Sequence, residues 1–345
     1  MIDPHVHLRD WNHSEKETVK HGIDIAYKAG LDAIFEMPNT DPPLTSRKAI
    51  MERLEFADKE IKELGLTGKF FHGLYAGITK DPEQVKEIVA TYNELFPRVV
   101  GIKMFAGHST GNMGIIHEDE QEKTYKTLAS LGYKGVLAVH CEHEASLCPK
   151  LWHPDAPITH SHARPEIAEE VSVKDQIHFA KMADFKGTLH VCHVSTVGAL
   201  KEIYKEHEIK ITCGVTPHHC MLDHSHVSSG NGILLKMNPP LRHKDTAEQL
   251  QKYLKKGIIT WIETDHAPHT KKDKVHHHAS GIPGIPYYPH FIKWLVEEGV
   301  SKELIDALTH DNIVKEFGID IKNTHREPNY DLADEYEFDA FEKIR

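Results

Sequence analysis

The segment Asp3-Pro4-His5-Val6-His7-Leu8-Arg9-Asp10 opens the chain with a short apolar strand that ends in polar side chains. The same pattern recurs along the chain, as runs of apolar and β-branched residues that are followed by histidine, lysine or aspartate. The predicted strands span residues 2–7, 32–37, 70–75, 99–104, 136–140, 188–193, 210–213 and 259–264. Eight strands are the number that a closed barrel of alternating strands and helices requires.

Charged segments with helical periodicity lie between these strands. They span residues 14–29, 46–64, 82–94, 119–131, 166–183, 197–207 and 246–255. The alternation predicts an α/β fold, a (β/α)8 TIM-type barrel with its functional side chains at the C-terminal strand ends. An open, doubly wound sheet is the alternative. No Gly-x-Gly-x-x-Gly follows a strand and residues 107–114 lack the lysine of a phosphate-binding loop, so nucleotide binding is not expected. We expect one domain over residues 1–345, with an acidic surface appendage over about 325–345.

Composition narrows the class of protein. The net charge of −11, with histidine neutral, does not indicate a basic surface for nucleic acid or anionic lipid, and it favours a small polar substrate. No apolar run reaches the roughly 18 residues that a membrane-spanning helix needs, and we expect no signal peptide before the first strand. The five cysteines form no Cys-x-x-Cys pair and are too few for a disulfide scaffold. We therefore expect reduced cysteines and a cytoplasmic protein.

Metal-ligand residue types stand at the predicted strand ends. His5 and His7 are two apart in an extended strand, so both imidazoles face one side together with Arg9. Such a pair suits a cation like zinc, although in a chain with 29 histidines it would also fit a surface strand. The other side chains at strand ends are Asn39, Lys103, His140, His193 and Asp265. Because a barrel brings these ends together at one mouth, the set predicts a metal site.

Lys103 is the unusual member of this set, because an ammonium beside divalent cations would be repelled. A buried lysine can lose its proton, and the free amine can take up carbon dioxide to form an anionic carbamate that bridges two metals. We therefore expect a carboxylated Lys103. The alternatives are a lysine that pairs with Asp265 in a one-metal site and a lysine that points out of the barrel.

His140 and His193 each end an apolar strand and begin a polar loop, so we expect both to bind a second metal. The histidines expected to be structural are His190, His218 and His219. Asp265 ends strand eight, where a carboxylate can touch a metal and also accept a proton from an activated water molecule. Asp265 is therefore predicted to be both a metal ligand and the general base.

Seven short motifs follow one another along most of the chain. They are Asp3-Pro4-His5-Val6-His7-Leu8-Arg9-Asp10, Met37-Pro38-Asn39-Thr40, Gly101-Ile102-Lys103, Val139-His140-Cys141-Glu142, Cys192-His193-Val194-Ser195-Thr196, Thr216-Pro217-His218-His219 and Thr264-Asp265-His266-Ala267-Pro268-His269. Together and in this order they resemble the amidohydrolase superfamily and, within it, the dihydroorotase family. The resemblance is closer to the short form of that family, because lysine stands at position 103, and we expect no N-terminal β-sandwich segment before the first strand.

The resemblance implies a barrel of the metal-dependent hydrolase kind with two zinc ions. One zinc ion would be held by His5, His7, Lys103 and Asp265. The second would be held by Lys103, His140 and His193, so that carboxylated Lys103 bridges the pair. The implied activity is a cyclic amide hydrolase that interconverts N-carbamoyl-L-aspartate and L-dihydroorotate in de novo pyrimidine biosynthesis.

The resemblance also implies contacts with the substrate. Arg9, Asn39 and His269 match the positions that bind its α-carboxylate, a role that suits a guanidinium and two further donors. Alternatively, Arg9 forms a salt bridge at the barrel rim and Asn39 only shapes the turn after Pro38. In the loop after strand four, Thr110 is the expected lid contact, with Ser109 a weaker one. A glycine-rich loop without any contact is the alternative there.

Two other functions stay open from the sequence. A cyclic amidase of the hydantoinase or allantoinase type would share the metal site but not the carboxylate-binding group, and Arg9 with Asn39 argues against it. A catalytically silent structural relative would keep the barrel without the chemistry, and the complete set of ligand types argues against that. The expected partners are the small-molecule substrate and a second copy of the chain in a homodimer, with no nucleic acid and no membrane.

Overall fold

Eight parallel strands form a barrel in the computed structural model, which describes residues 1–108, 113–228 and 231–344. The strands are β1 (Ile2–Val6), β2 (Ala33–Glu36), β3 (Phe71–Gly77), β4 (Val99–Ala106), β5 (Val136–Cys141), β6 (Thr188–Val191), β7 (Ile211–Val215) and β8 (Trp261–Ile262). Each strand pairs in parallel with the next one along the chain. A parallel bridge joins Val6 to His266, and the backbone N–H of His7 donates to the carbonyl of His266 at 2.7 Å. This contact brings the chain after β8 back to β1, and the predicted (β/α)8 barrel is confirmed.

Helices lie around the barrel and in the loops that connect its strands. They are α1 (Val19–Lys28), α2 (Arg47–Glu63), α3 (Pro82–Leu95), α4 (Glu118–Ser130), α5 (Thr159–Ala163), α6 (Glu166–Met182), α7 (Val197–Lys205), α8 (Pro217–Met221), α9 (His224–Val227), α10 (Lys244–Lys255), α11 (Lys271–His276), α12 (Tyr288–Glu297), α13 (Lys302–Asp306) and α14 (Asn312–Phe317). The caps Thr18, Ser46 and Thr196 each accept a hydrogen bond from the backbone N–H three residues further on. The first helix therefore begins later than predicted, directly after Thr18. None of the described helices is long and apolar enough to cross a membrane.

Apolar side chains fill the N-terminal end of the barrel. Phe317 of α14 packs inside it, with its ring centre 5.1 Å from Phe35, 6.1 Å from Tyr75 and 5.7 Å from Trp261. All four rings belong to one buried cluster that lines the inner face of the sheet. A second, larger cluster lies between the strands and the surrounding helices. This packing leaves the C-terminal end of the barrel for polar side chains.

The C-terminal segment, residues 325–344, is acidic and was expected to be a surface appendage. In the structure its apolar side chains Leu332, Phe338 and Phe341 are buried. The ring of Phe341 stacks on Tyr287 with ring centres 4.0 Å apart. The segment therefore packs on the barrel through a few apolar residues, which are spaced too widely among charged ones to show helical or strand periodicity.

Candidate active site

A cavity of about 690 Å³ opens at the C-terminal ends of the strands. The predicted site residues that line it are His5, His7, Arg9, Asn39, Lys103, His140, His193, Asp265 and His269. Closure of the barrel thus brings together residues from both ends of the chain. The predicted lid contacts Thr110 and Ser109 lie outside the residues that the structure describes.

His5, His7 and Asp265 form the first buried cluster. The Nε2 atoms of His5 and His7 lie 3.3 and 2.9 Å from the same oxygen, Oδ1 of Asp265. On the other side of its ring, Nδ1 of His7 lies 2.5 Å from Oδ1 of Asn39 and donates a hydrogen bond to it. This bond assigns the proton of His7 to Nδ1 and leaves the Nε2 lone pair facing Asp265. The three ligand atoms lie within 4.8 Å of one another, which fits a divalent cation.

His140 and His193 form the second cluster, in which Nδ1 of His140 faces Nε2 of His193 at 3.1 Å. Nε2 of His140 donates to Oε2 of Glu142 at 2.8 Å. Arg164 in turn donates to Glu142 from Nε at 2.9 Å and from Nη2 at 2.5 Å. A carboxylate behind a histidine sets its tautomer and leaves the opposite nitrogen for a metal. Two ring nitrogens that face each other in this way also fit a cation.

Lys103 lies on β4, fully buried, and its side chain lines the cavity. Nζ is 3.0 Å from Sγ of Cys192 and 5.0 Å from the ring centre of Phe105. Within the described parts of the chain, no carboxylate lies within ion-pair distance of this nitrogen. Because its side chain lines the cavity, Lys103 does not point out of the barrel. Among the described residues it also forms no ion pair with Asp265.

Burial sets the charge of these groups. It lowers the pKa of His5 and of His193, and it lowers the pKa of His7 to about 4, so these three imidazoles are neutral. Burial alone would raise the pKa of Asp265, but the contacts of its carboxylate with His7 and His5 hold that pKa below the usual range. Neutral imidazoles and an ionised carboxylate are the forms in which these groups bind metals.

Arg9 reaches the cavity by a route that differs from the prediction. β1 ends at Val6, and the backbone at Arg9 is left-handed with φ 53°, so Arg9 does not continue the face of the strand. Its Nε donates to the carbonyl of Pro268 at 3.2 Å, and its Nη2 lies 3.1 Å from Nε2 of His269. Among the described residues the guanidinium forms no salt bridge, so the rim alternative is not formed. Arg9, His269 and Asn39 line one cavity together with the two histidine clusters.

Comparison with known proteins identifies the family. The chain is 34% identical over 286 residues to the dihydroorotase of Pyrococcus horikoshii, covering 83% of this chain and 57% of that protein. It is 32% identical over 321 residues to the dihydroorotase of Thermococcus kodakarensis, covering 92% of this chain and 68% of that protein. The chain belongs to the dihydroorotase family. It spans between 57% and 68% of the length of these two relatives of the family. No family model matches it.

Solved structures share the fold of this dihydroorotase-family chain, but their sequences are less similar to it than those of the two relatives above. L-hydantoinase from Arthrobacter aurescens has a TM-score of 0.78 at 22% identity, over 92% of this chain and 70% of that one. Dihydroorotase from Campylobacter jejuni has a TM-score of 0.70 at 20% identity, over 93% of this chain and 84% of that one. Both likenesses concern the fold, and they support the barrel.

Sequence reasoning missed several residues that surround the site in this member of the dihydroorotase family. Glu142 supports His140, and the buried Glu263 contacts His190 and the backbone of His193. The spacing could have revealed both, because Glu142 is two residues after His140 and Glu263 is two residues before Asp265. Further residues that line the cavity are His13, Lys16, Asn238 and Ser280.

The three histidines expected to be structural fall into two groups. His190 contacts Thr212 and Glu263, and His219 contacts Thr216 and the carbonyl of Pro239, as structural histidines do. His218 is equally buried, yet neither of its ring nitrogens has a hydrogen-bond partner among the described residues. Burial lowers its pKa to about 4, so it is neutral.

Proposed function

We propose that the chain is a dihydroorotase, which interconverts N-carbamoyl-L-aspartate and L-dihydroorotate in pyrimidine biosynthesis. The observation that carries this proposal is one cavity, in a member of this family, that joins two histidine clusters to a guanidinium. A cyclic amide with a carboxylate needs both features, because the metals held by the histidine clusters would act on the amide bond that breaks and the guanidinium would orient the substrate. The five free cysteines fit a reducing cytoplasm as its place of action, and a homodimer stays a prediction.

The donor atoms fit two zinc ions. His5, His7 and Asp265 would hold one, and His140 and His193 the other, with Lys103 between them as a carbamate. Support for this arrangement comes from the Nε2 atoms that converge on Asp265 and from the facing nitrogens of His140 and His193. Bound metals would polarise the amide carbonyl and lower the pKa of water.

The side chains of the chain perform the remaining steps. Arg9, with Asn39 and His269, binds the α-carboxylate of the substrate and so orients the ring amide toward Asp265. In hydrolysis, Asp265 accepts a proton from the water molecule that adds to the amide carbon. It then delivers this proton to the ring nitrogen as the carbon–nitrogen bond breaks. In the reverse direction Asp265 takes the proton from the carbamoyl nitrogen as the ring closes.

The test is hydrolysis of dihydroorotate by purified protein of known metal content, followed by the loss of ultraviolet absorbance of the ring amide. Hydantoin and allantoin serve as control substrates, and intact mass reports whether Lys103 carries one carbon dioxide. We expect turnover of dihydroorotate alone and about two metals per chain. Turnover of hydantoin instead would agree with the barrel and the two metals but would contradict the carboxylate-binding role of Arg9. Full metal content without turnover of any substrate would favour the silent relative.

A further inference from the structure

Glu263 is a fully buried carboxylate inside the barrel, next to the candidate metal ligands but outside the cavity lining. Its Oε1 accepts a hydrogen bond from the backbone N–H of His193 at 2.5 Å and lies 3.5 Å from Nδ1 of His5. Its Oε2 accepts hydrogen bonds from Nε2 of His190 at 3.1 Å and from Nε1 of Trp261 at 3.0 Å. The carboxylate therefore connects four residues of β1, β6 and β8 or the turns that follow them.

The barrel has space for this carboxylate because residue 214, on β7, is a glycine. A Cβ atom at Gly214 would lie 2.3 Å from the carboxyl carbon of Glu263 and 2.4 and 2.6 Å from its oxygens. No side chain could occupy that position without displacing the carboxylate. The position of Glu263 is thus built into the packing of two strands.

We propose that Glu263 is a positioning residue for the metal site, which orients His5 through its ring and His193 through its backbone. The inference rests on the proposed function, because it requires that these histidines bind metal. Nδ1 of His5 has no hydrogen-bond partner among the described residues, and Oε1 of Glu263 lies 3.5 Å away from it. An acceptor on this side keeps the proton on Nδ1 and directs the Nε2 lone pair toward Asp265.

His193 needs support of a different kind. Its backbone has φ 37°, a left-handed conformation that costs free energy in a residue with a side chain. The hydrogen bond from its N–H to Glu263 holds the turn after β6 in that conformation. Because this turn aims the ring of His193 at His140, Glu263 acts on both clusters at once. Its negative charge also favours a cation among neutral imidazoles.

The test compares Glu263→Gln with Glu36→Gln. Glutamine has almost the shape of glutamate, so it fits against Gly214, but it lacks the charge and cannot accept on both sides. Glu36 is a matched control because it is also fully buried, between β2 and α2, where it binds Arg53 and His72 instead of candidate ligands. Zinc affinity is measured by competition with a chelator, and metal content at saturation is measured by elemental analysis.

We expect Glu263→Gln to lower zinc affinity roughly 10- to 100-fold with unchanged metal content at saturation. Glu36→Gln should leave zinc affinity at the wild-type value. Wild-type protein that binds no zinc would overturn the proposed function, whereas zinc binding that Glu263→Gln leaves intact would overturn this inference alone. Loss of one metal at saturation would show Glu263 to be a ligand itself and also overturn the positioning role. If Glu263→Gln does not fold, Glu263→Asp retains the charge but withdraws the carboxylate. Lower affinity there supports the role, and unchanged affinity refutes it.

Discussion

At the residue scale, His7 and His140 each have different partners at their two ring nitrogens. His7 donates from Nδ1 to Asn39 and presents Nε2 to Asp265. His140 donates from Nε2 to Glu142 and presents Nδ1 to His193. A neutral imidazole has one donor and one acceptor, so holding the donor determines where the lone pair points. Hydrogen bonds within the protein therefore set the orientation of these two imidazoles.

Asp265→Asn tests the proton-transfer role. The amide keeps an oxygen near His5 and His7 but cannot accept a proton at neutral pH, so we expect turnover to fall roughly 100- to 10,000-fold in both directions. Metal content should stay close to that of the wild type. Asp41→Asn is the control, because Asp41 lines the same cavity without contacting either histidine cluster. Steady-state rates and elemental analysis decide, and near-normal turnover would remove Asp265 from this role.

At the scale of an element, the loop around α11 places His269 and Ser280 in the cavity lining, and His269 lies beside Arg9. Lys274 of α11 is fully buried, and its Nζ donates to the carbonyls of Lys236, Ala279 and Gly281 at 2.6, 3.0 and 2.8 Å. Three carbonyl acceptors use all three N–H groups of an ammonium. One side chain thus ties two loops together, and both line the cavity.

Lys274→Met should loosen this loop while keeping the length of the side chain. Three buried carbonyls lose their donor, so we expect the free energy of unfolding to drop by about 1–3 kcal/mol. Because His269 then moves relative to Arg9, KM for dihydroorotate should rise more than kcat falls. Lys272→Met, an exposed neighbour on the same helix, is the control and should change neither value. Urea unfolding and steady-state kinetics provide the measurements. Equal behaviour of the two variants would contradict the role of Lys274.

At the scale of the whole molecule, distant segments complete the barrel. The chain after β8 bridges back to β1, and the C-terminal segment packs Phe341 on Tyr287 of the same domain. Phe341 is only 1% exposed, so its ring is part of the core rather than of a surface tail. The stability of the barrel therefore depends on the last residues of the chain.

Phe341→Ala is expected to lower the free energy of unfolding by about 3–5 kcal/mol, because it removes a buried ring and leaves a cavity. Phe341→Leu should cost clearly less, since it retains most of the apolar volume. Denaturant unfolding of both variants measures the difference. If Phe341→Ala lowers the free energy of unfolding by less than an ordinary surface substitution does, the segment does not contribute to the core.

The pH dependence of stability has a testable contribution from His160, which contacts Asn238 Oδ1 at 2.9 Å. Burial, together with the charges of Lys236 and Arg164, lowers its pKa from 6.5 to about 3. Below pH 6.5 the unfolded chain therefore binds a proton that the folded protein does not, so this contribution falls as the pH falls. The stability advantage of wild type over His160→Gln should shrink by about 2 kcal/mol between about pH 7.5 and about pH 5. Urea unfolding at the two pH values tests this, and a constant advantage would exclude the shift.

Much of the architecture follows from local patterns. All eight strands lie within two residues of their predicted bounds, because apolar runs between polar loops are a local property of the chain. Helices such as α2 and α7 begin where Ser46 and Thr196 supply caps, which is also local. The short helices α11, α13 and α14 were not predicted, since each is too short to show a period.

The sequence by itself determined the barrel and the residue types at its mouth, because strand periodicity, capping and strand-end position act over a few neighbouring residues. Only the tertiary structure decided how Arg9 turns into the cavity and that the C-terminal segment reaches the core. It also decided that Lys274 is a buried support of the site and which partners the buried Glu263 contacts. These contacts join residues that only barrel closure brings together, and burial gives a charged group its partners from distant strands and loops.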